Sequence, residues 1–311
     1  MSRELSSAPT LHVVSKPFAL PEPPQVPFVM LDVAFAGGNA SHKTLDFIVA
    51  AGEKLRLWVD HHEHPKSWVW YQQDPRFVLV SSRMAHACPE LVTPEVVARA
   101  GDVGAVLAHH DFDGLMSAVR FLNGGVEPYE GADEDARAAD APGRGHVLSP
   151  RGRRLTYALG EAEAELEEDD FLAFYRAVAA SVLAGREDVV LASNIDRFMA
   201  EAEGVSARAR NLAEARQIEA PGVCVLRIDA QLDGRMRRAV LSLLEETSTV
   251  GLVLEGTPKR YWATAATFDD RVVLDEAPDL DRGRHDFRFG PTKNADQLIR
   301  KLSELATSHL A

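Results

Sequence analysis

The sequence has few cysteines and no long apolar runs. Its 311 residues include two cysteines, Cys88 and Cys224, far apart in the chain and in apolar surroundings. Two such thiols form neither a disulfide framework nor a closely spaced zinc motif, so we expect core thiols. No apolar run approaches the roughly 20 residues that span a bilayer, and no signal-peptide pattern opens the sequence. We therefore expect a cytoplasmic protein without a membrane partner.

Positive charge is also scarce. Thirty-four lysines and arginines accompany 47 acidic residues, and the formal net charge is −13. Proteins that coat long nucleic acids need a positive surface field, so no long duplex is expected as a partner. A small phosphorylated substrate or a short oligonucleotide is compatible with this charge, and so is a homodimer. The hydrophobic share of 46% supports a real core.

The pattern along the chain predicts an arm followed by two domains. Residues 1–27 are punctuated by prolines and show no persistent periodicity, which predicts a flexible arm. In residues 28–205, short apolar runs alternate with helical spacing, which is typical of an α/β domain with a doubly wound, mainly parallel sheet. Residues 206–219 are predicted as a helical linker. Residues 220–311 are predicted as a smaller α+β domain with strands at 223–228, 250–254, 261–267 and 272–274.

Capping residues mark the predicted helices of the α/β domain. Ser41 is predicted as the N-cap of a helix that reaches residue 51. Thr93-Pro94 opens a second helix, which Gly101 closes. Residues 114–122 have helical apolar spacing and form a third. These helices lie between the candidate strands, as a parallel sheet requires.

Acidic and imidazole side chains follow three of the apolar runs. The runs are residues 26–31, 55–59 and 103–108, and they are followed by Asp32, by Asp60-His61-His62, and by His109-His110-Asp111-Phe112-Asp113-Gly114. Runs of this length are typical of buried parallel strands, although short buried helices have the same composition. If they are strands, their carboxyl ends meet in one crevice. Carboxylates and imidazoles without thiolates suit Mn²⁺, Mg²⁺ or Fe²⁺ better than structural zinc.

These side chains suffice for two metal ions. We predict that Asp32 bridges the ions, that His109 and Asp111 bind one, and that Asp113 and His61 bind the other. Two ions about 4 Å apart clamp the attacking and leaving oxygens of an in-line phosphoryl displacement and supply a metal-bound hydroxide near neutral pH. Hydrolysis then needs no protein nucleophile.

The motifs Asp60-His61-His62 and His109-x-Asp111-x-Asp113-Gly114 resemble those of the DHH phosphoesterase superfamily. That superfamily includes RecJ exonucleases, nanoRNases, cyclic-dinucleotide phosphodiesterases and family II pyrophosphatases. The resemblance covers residues 28–200 and implies two Mn²⁺ ions, with Mg²⁺ or Fe²⁺ as alternatives. It implies the ligand roles given above for His61, His109 and the three aspartates, and it implies that His62 contacts the phosphate. We assign Asp60 and His62 to catalysis.

The order and the number of the metal ligands depart from the superfamily pattern. The H-x-D-x-D-G segment normally precedes DHH, whereas here it follows, so the order resembles a circular permutation. The fourth acid of the second ion is therefore open. Asp140 is our candidate, with Asp133 and Asp196 as alternatives. Asp102 is rejected, because it precedes a strand whose far end is roughly 17 Å away.

The carboxy-terminal domain lacks the Gly-Gly-Gly-His loop that grips substrate in many relatives. The corresponding stretch is residues 282–288, where Arg284, His285 and Arg288 are predicted to bind substrate phosphates. A solvated surface turn is the alternative interpretation. His62 is assigned to substrate because successive side chains of an extended segment face opposite ways, so His61 and His62 are not expected in one coordination sphere.

The sequence therefore predicts a two-metal phosphoesterase that hydrolyses a phosphodiester in a short or modified nucleotide. A phosphomonoesterase or a pyrophosphatase is the alternative within the same chemistry. A non-catalytic scaffold is the alternative outside it. We disfavour the scaffold because Asp32, His61, His109, Asp111 and Asp113 are all present.

Overall fold

The structure is a computed structural model that describes residues 9–62, 71, 73–82, 84–140, 146–269, 271–280, 282–284 and 287–308. The chain divides into two compact units between Met199 and Ala200, inside a long helix. The predicted boundary after residue 205 lies in the same helix. Within the described ranges, no helix combines the length and the apolar character that crossing a membrane requires.

The described part of the first unit contains a five-stranded sheet in which all paired strands are parallel. The strand order is β1-β5-β2-β3-β4. The direction of winding therefore reverses at β2, which is where ligand sites form in open α/β sheets. The strands are β1 (Thr10–Val14), β2 (Phe28–Leu31), β3 (Leu55–Asp60), β4 (Phe77–Leu79) and β5 (Ala105–His109).

Helices cover both faces of this sheet, so its strands are buried on both sides. Phe28 and Met30 pack in one core cluster, whereas Val29 and Leu31 pack in another. This arrangement confirms the predicted α/β class and explains why β2 lacks alternating polar residues. The helices are α1 (Ser41–Ala51), α2 (Pro94–Ala100), α3 (Phe112–Leu122), α4 (Ala132–Asp140), α5 (Pro150–Glu165), α6 (Glu168–Ala184) and α7 (Val189–Ala213).

The helix limits largely follow the predicted caps. Thr93 accepts a hydrogen bond from the backbone N–H of Val96 and so caps α2 as predicted. Ser41 is not an N-cap but the first residue of α1, and no side chain caps this helix. The reason is that residues 38–40 already form a 3₁₀ turn, so the chain is helical before Ser41.

The prediction of a flexible arm over residues 1–27 is wrong for part of that segment. Residues 10–14 form the edge strand β1 and pair with β5. Leu11 and Val14 are buried, and the Leu11 carbonyl accepts a hydrogen bond from Arg176 Nε at 2.9 Å. Backbone pairing and these contacts order a stretch too short to show periodicity in the sequence.

The second unit contains a six-stranded mixed sheet among its described residues, in the order β10-β11-β9-β8-β7-β6. Only β7 and β8 pair in parallel, and α8 connects them. Helices α8 and α9 pack in two separate core clusters of this unit. The elements are β6 (Gln217–Ala220), β7 (Val223–Ile228), α8 (Gly234–Glu245), β8 (Val250–Thr257), β9 (Arg260–Ala266), β10 (Arg282–Arg284), β11 (Phe287–Thr292) and α9 (Ala295–Thr307).

Two predictions around this unit are wrong. Residues 206–219 are not a separate helical linker, because α7 ends at Ala213 and β6 begins at Gln217. Antiparallel pairing of β6 with β7 overrides the helical propensity of this segment. Residues 272–274 do not form a strand either. Leu274 is buried in the core and starts a 3₁₀ turn, while β10 and β11 complete the sheet.

Candidate metal centre

Three neighbouring strands bring the predicted site residues together. Asp32 follows β2, Asp60 ends β3 and His109 ends β5, and β2 lies between the other two strands. Asp111 is the N-cap of α3, and its carboxylate accepts a hydrogen bond from Gly114 N at 2.9 Å. Because Asp113 lies in the first turn of the same helix, the H-x-D-x-D-G segment is a strand that turns directly into a helix.

Asp32 has a left-handed backbone conformation. Its φ of 57° makes it one of two non-glycine residues with positive φ in the described chain. Its N–H donates to Val59 O at 2.9 Å, and only 1% of the residue is exposed. Such a conformation is unfavourable for most side chains, although aspartate tolerates it better than most. The turn after β2 thus holds a buried carboxylate at the switch point of the sheet.

The candidate ligand atoms form three overlapping groups, each with its atoms within 4.8 Å of one another. Asp32, His109 and Asp111 make one group, His61, Asp113 and Asp140 make a second, and Asp32, His61 and His62 make a third. The first two groups match the two predicted ion sites. Asp32 faces both groups, with Oδ1 3.4 Å from His61 Nε2 and Oδ2 3.9 Å from His109 Nδ1. A carboxylate in this position can bridge two cations.

The orientation of His61 suits a metal ligand. Its Nδ1 lies 3.0 Å from Ala85 O, so Nδ1–H donates to that carbonyl. Nε2 then carries the lone pair, and it lies 3.2 Å from Asp113 Oδ2 and 3.7 Å from Asp140 Oδ2. A histidine that ligates a metal usually donates its other ring N–H in this way.

Several buried polar atoms of the centre lie near other polar atoms but form no well-aligned hydrogen bond. They are Asp32 Oδ1, His61 Nε2, His109 Nδ1 and Asp113 Oδ1. Buried polar atoms are normally paired, and a site for a bound ion is one accepted reason for an exception. Ligands about 2.1 Å from an octahedral cation lie about 3 Å from each other, and His109 Nδ1 lies 2.8 Å from Asp111 Oδ2. Divalent cations therefore fit this centre.

Without cations, the buried carboxylates of the centre repel one another and are unfavourable in their charged form. Burial, followed by the charges of Asp113 and Asp111, raises the pKa of Asp32 well above its ordinary value. Burial also raises the pKa of Asp113 to about 6. Burial lowers the pKa of His61, but Asp113 and Asp32 outweigh it and raise that pKa overall. Several acids crowded around two imidazoles thus need added positive charge, which protons or metal ions can supply.

Asp60 orients His62. Asp60 Oδ1 lies 2.7 Å from His62 Nδ1, and the backbone N–H of His62 donates to Asp60 Oδ2 at 3.3 Å. Burial lowers the pKa of His62, but Asp60 outweighs it and raises that pKa to about 9. Without bound cations His62 is therefore protonated at neutral pH, and its Nδ1–H donates to Asp60.

The geometric reason for separating His61 from His62 is wrong. His62 Nδ1 lies 3.9 Å from Asp32 Oδ1, and the two ring centroids are 4.9 Å apart. Both residues follow the end of β3, so the alternation of side chains in a strand no longer applies to them. His62 is 28% exposed, whereas His61 is buried. Its assignment to substrate stays a prediction, supported by its pairing with Asp60.

The other acids considered for the second ion lie elsewhere. Asp133 pairs with Arg120. Asp196 pairs with Arg154 and is 67% exposed. Asp140, the last residue of α4, is the one of the three that reaches the His61 group.

Two of the three predicted phosphate-binding residues of the second unit cannot be placed. His285 and the side chain of Arg284 lie outside the described residues. Arg288 Nε donates to Leu280 O at 3.0 Å, and its Nη1 lies 3.4 Å from Asp275 Oδ1. These contacts hold the Arg288 guanidinium within its own unit, and its role toward substrate stays a prediction.

Some residues that support the centre have no signature in the sequence. The Ala85 carbonyl accepts from His61, and the backbone N–H of Cys88 donates to Asp113 Oδ2 at 3.1 Å. The hydroxyl of buried Tyr175 donates to His109 O at 2.8 Å. Ala85 and Cys88 contribute only backbone groups to these contacts, so their side-chain identity does not reveal them.

No protein-family model matches the chain, and no curated protein sequence does. Solved structures do resemble it. A pGpG-specific phosphodiesterase, PggH from Vibrio cholerae, is 10% identical with a TM-score of 0.47, over 89% of this chain and 99% of that one. An exopolyphosphatase-related protein from Bacteroides fragilis is 11% identical with a TM-score of 0.42, over 92% and 72%. Exonuclease RecJ bound to manganese is 15% identical with a TM-score of 0.45, over 91% and 75%.

All three TM-scores are below 0.5. The assignment of function therefore depends on the geometry of the candidate centre.

Proposed function

We propose that this chain is a divalent-metal-dependent phosphoesterase of the DHH type, with permuted motif order, that hydrolyses a phosphodiester in a short or modified nucleotide. The position of Asp32 between the His61 group and the His109 group supports the proposal most strongly. Two bound cations would stabilise charge in an in-line displacement at phosphorus and activate water near neutral pH. Carboxylates and imidazoles without thiolates favour Mn²⁺, with Mg²⁺ or Fe²⁺ as alternatives.

The residues of the centre divide into ligands and a substrate contact. His109 and Asp111 would bind one ion, and His61, Asp113 and Asp140 would bind the other. Asp32 would bind both ions. Among the described residues, no acceptor engages His62 Nε2. We assign its Nε2–H to a non-bridging phosphate oxygen, since a charged donor makes a strong hydrogen bond to phosphate. Asp60 fixes the ring for this contact.

The second unit is assigned to substrate recognition. Arg284, His285 and Arg288 are proposed to contact phosphate groups of the nucleotide, as the corresponding stretch does in relatives with the Gly-Gly-Gly-His loop. This role is independent of the metal centre. Loss of these contacts is expected to raise KM while leaving metal binding intact.

Activity assays with Mn²⁺ test the proposal. The substrates are linear dinucleotides, cyclic dinucleotides, pAp and pyrophosphate, and Asp113→Asn is the inactive control. Hydrolysis of a linear or cyclic dinucleotide by the parent and not by the control is expected. Cleavage of pAp or pyrophosphate alone would identify the phosphomonoesterase or pyrophosphatase alternative. A protein that binds two ions and cleaves none of the four would be a scaffold.

A further inference from the structure

A closed network of polar side chains lies beside the metal centre, outside the residues discussed so far. It joins residues 85–90 to helix α4 and to His146. We call it the Arg137 network, and its members are His86, Glu90, Glu134, Arg137 and His146.

Arg137 is the central member of this network. Its Nε lies 2.9 Å from Glu90 Oε1 and its Nη2 donates to Glu90 Oε2 at 3.0 Å, so the pair is bidentate. Its Nη1 donates to Glu134 Oε2 at 3.0 Å. Glu90 Oε1 also accepts from the backbone N–H of Ala87 at 3.0 Å. One guanidinium thus connects α4 to the 85–90 segment through geometry that lysine cannot reproduce.

The two histidines close the network on its other side. His146 Nδ1 lies 2.7 Å from Glu134 Oε1, so Nδ1–H donates to that carboxylate. His86 Nδ1 lies 3.2 Å from His146 Nε2, and the N–H of His86 donates to it. The segment therefore contacts α4 directly through Glu90 and indirectly through His86.

The two elements that the Arg137 network joins both contact the group of His61, Asp113 and Asp140. Ala85 accepts from His61, and Cys88 donates to Asp113, so the 85–90 segment orients two of its ligands. Helix α4 ends at Asp140, whose Oδ2 is 3.7 Å from His61 Nε2. His109 and Asp111 belong to β5 and the cap of α3. Among the described residues, the hydrogen bonds of the network do not reach either of them.

We infer that Arg137 is a positioning residue for the metal ion that His61, Asp113 and Asp140 would bind. The Arg137 network holds Asp140 close to His61 and Asp113. This inference rests on the proposed function. Its consequence is selective, since the ion at His109 and Asp111 should bind independently of the network. Loss of partners outside the ligand shell typically weakens metal affinity about 10- to 100-fold.

Mn²⁺ binding to the full chain tests this inference, measured by calorimetry and by electron paramagnetic resonance of free Mn²⁺. The test variant is Arg137→Met. The matched control is Arg154→Met, because Arg154 also pairs with two acids, Glu187 and Asp196, and is similarly exposed at 24% against 31%. Arg154 lies on α5, and these partners lie on α7 and in the turn before α7.

In Arg137→Met we expect one Mn²⁺ site to lose roughly 10- to 100-fold in affinity and the other to keep its Kd. Turnover should fall at limiting Mn²⁺ and recover at saturating Mn²⁺, which a general loss of folding does not produce. Glu90→Gln should weaken the same site. The double variant should lose no more than the larger single loss, because both substitutions break one link.

Two outcomes overturn the inference alone: unchanged affinity at both sites in Arg137→Met, or an equal loss in Arg154→Met at matched thermal stability. A parent protein that binds no Mn²⁺ overturns the proposed function and the inference together. The two failures are therefore distinguishable without a known substrate.

Discussion

The two carboxylate oxygens of Asp32 face different histidines. Oδ1 lies 3.4 Å from His61 Nε2, whereas Oδ2 lies 3.9 Å from His109 Nδ1. The residue is buried and has positive φ, so its side chain cannot easily turn to water. The candidate centre is thus organised around one carboxylate that belongs to both of its halves.

Asp32→Asn should weaken both metal sites. Asparagine tolerates the same backbone conformation, so the substitution removes charge and ligand strength with little change of shape. We expect fewer than two Mn²⁺ equivalents under conditions that saturate the parent, as measured by metal analysis after dialysis. Asp102→Asn, at an exposed acid before β5, is the control and should bind two. Two tightly held ions in Asp32→Asn would show that this residue is no bridge.

Asp113→Asn should abolish turnover and leave the fold intact. The acid is buried beside Asp32, and burial raises the pKa of both carboxyls, so neutralising one relieves repulsion. Asparagine can still accept from Cys88 N. In EDTA, thermal unfolding should therefore occur at the same temperature as in the parent or higher. A clear destabilisation of the metal-free variant would contradict this account of the electrostatics.

His62→Gln should reduce turnover without releasing metal. Loss of one charged donor to the transition state typically costs about 10²- to 10³-fold in kcat. Metal content should equal that of the parent if His62 serves the phosphate, because its Nδ1 is bonded to Asp60 at 2.7 Å and lies 3.9 Å from Asp32 Oδ1. His110→Gln is the control, since His110 pairs with Glu163 instead. A variant that loses an ion would make His62 a ligand.

Gly114→Ala should disrupt the metal site of Asp32, His109 and Asp111. A Cβ at Gly114 would lie 2.3 Å from His109 O, so the end of β5 or the start of α3 must move. We expect lower Mn²⁺ affinity and lower stability than in Gly160→Ala. At Gly160 nothing lies within 4 Å, and alanine should stabilise α5 by about 1 kcal/mol. Equal behaviour of the two variants would show that this glycine is not required.

Much of the centre is predictable from sequence because its ligands follow buried strands. The apolar runs before Asp32, His61 and His109 mark strand ends, and parallel pairing then forces these residues to one edge. Asp140 was harder to place, since it ends a helix and its proximity to His61 depends on how α4 packs. Arg137 joins α4 to Glu90, which is 47 residues away in the sequence.

The rest of the fold depends on contacts that local sequence does not encode. Strand β1 is short, and its stability comes from pairing with β5 rather than from its own pattern. Residues 206–219 are predicted as helical, yet pairing with β7 makes residues 217–220 the strand β6. Tertiary contacts override propensity in both cases.

The measurement that tests the central claim most directly is turnover titrated against bound Mn²⁺. The metal-free protein is given increasing Mn²⁺, and bound metal and hydrolysis of a dinucleotide or of bis(p-nitrophenyl) phosphate are measured on the same samples. A two-metal centre predicts little hydrolysis below one equivalent, a steep rise between one and two, and a plateau at two. Full activity at a single equivalent, or two bound equivalents with no hydrolysis of any phosphoester, would contradict it.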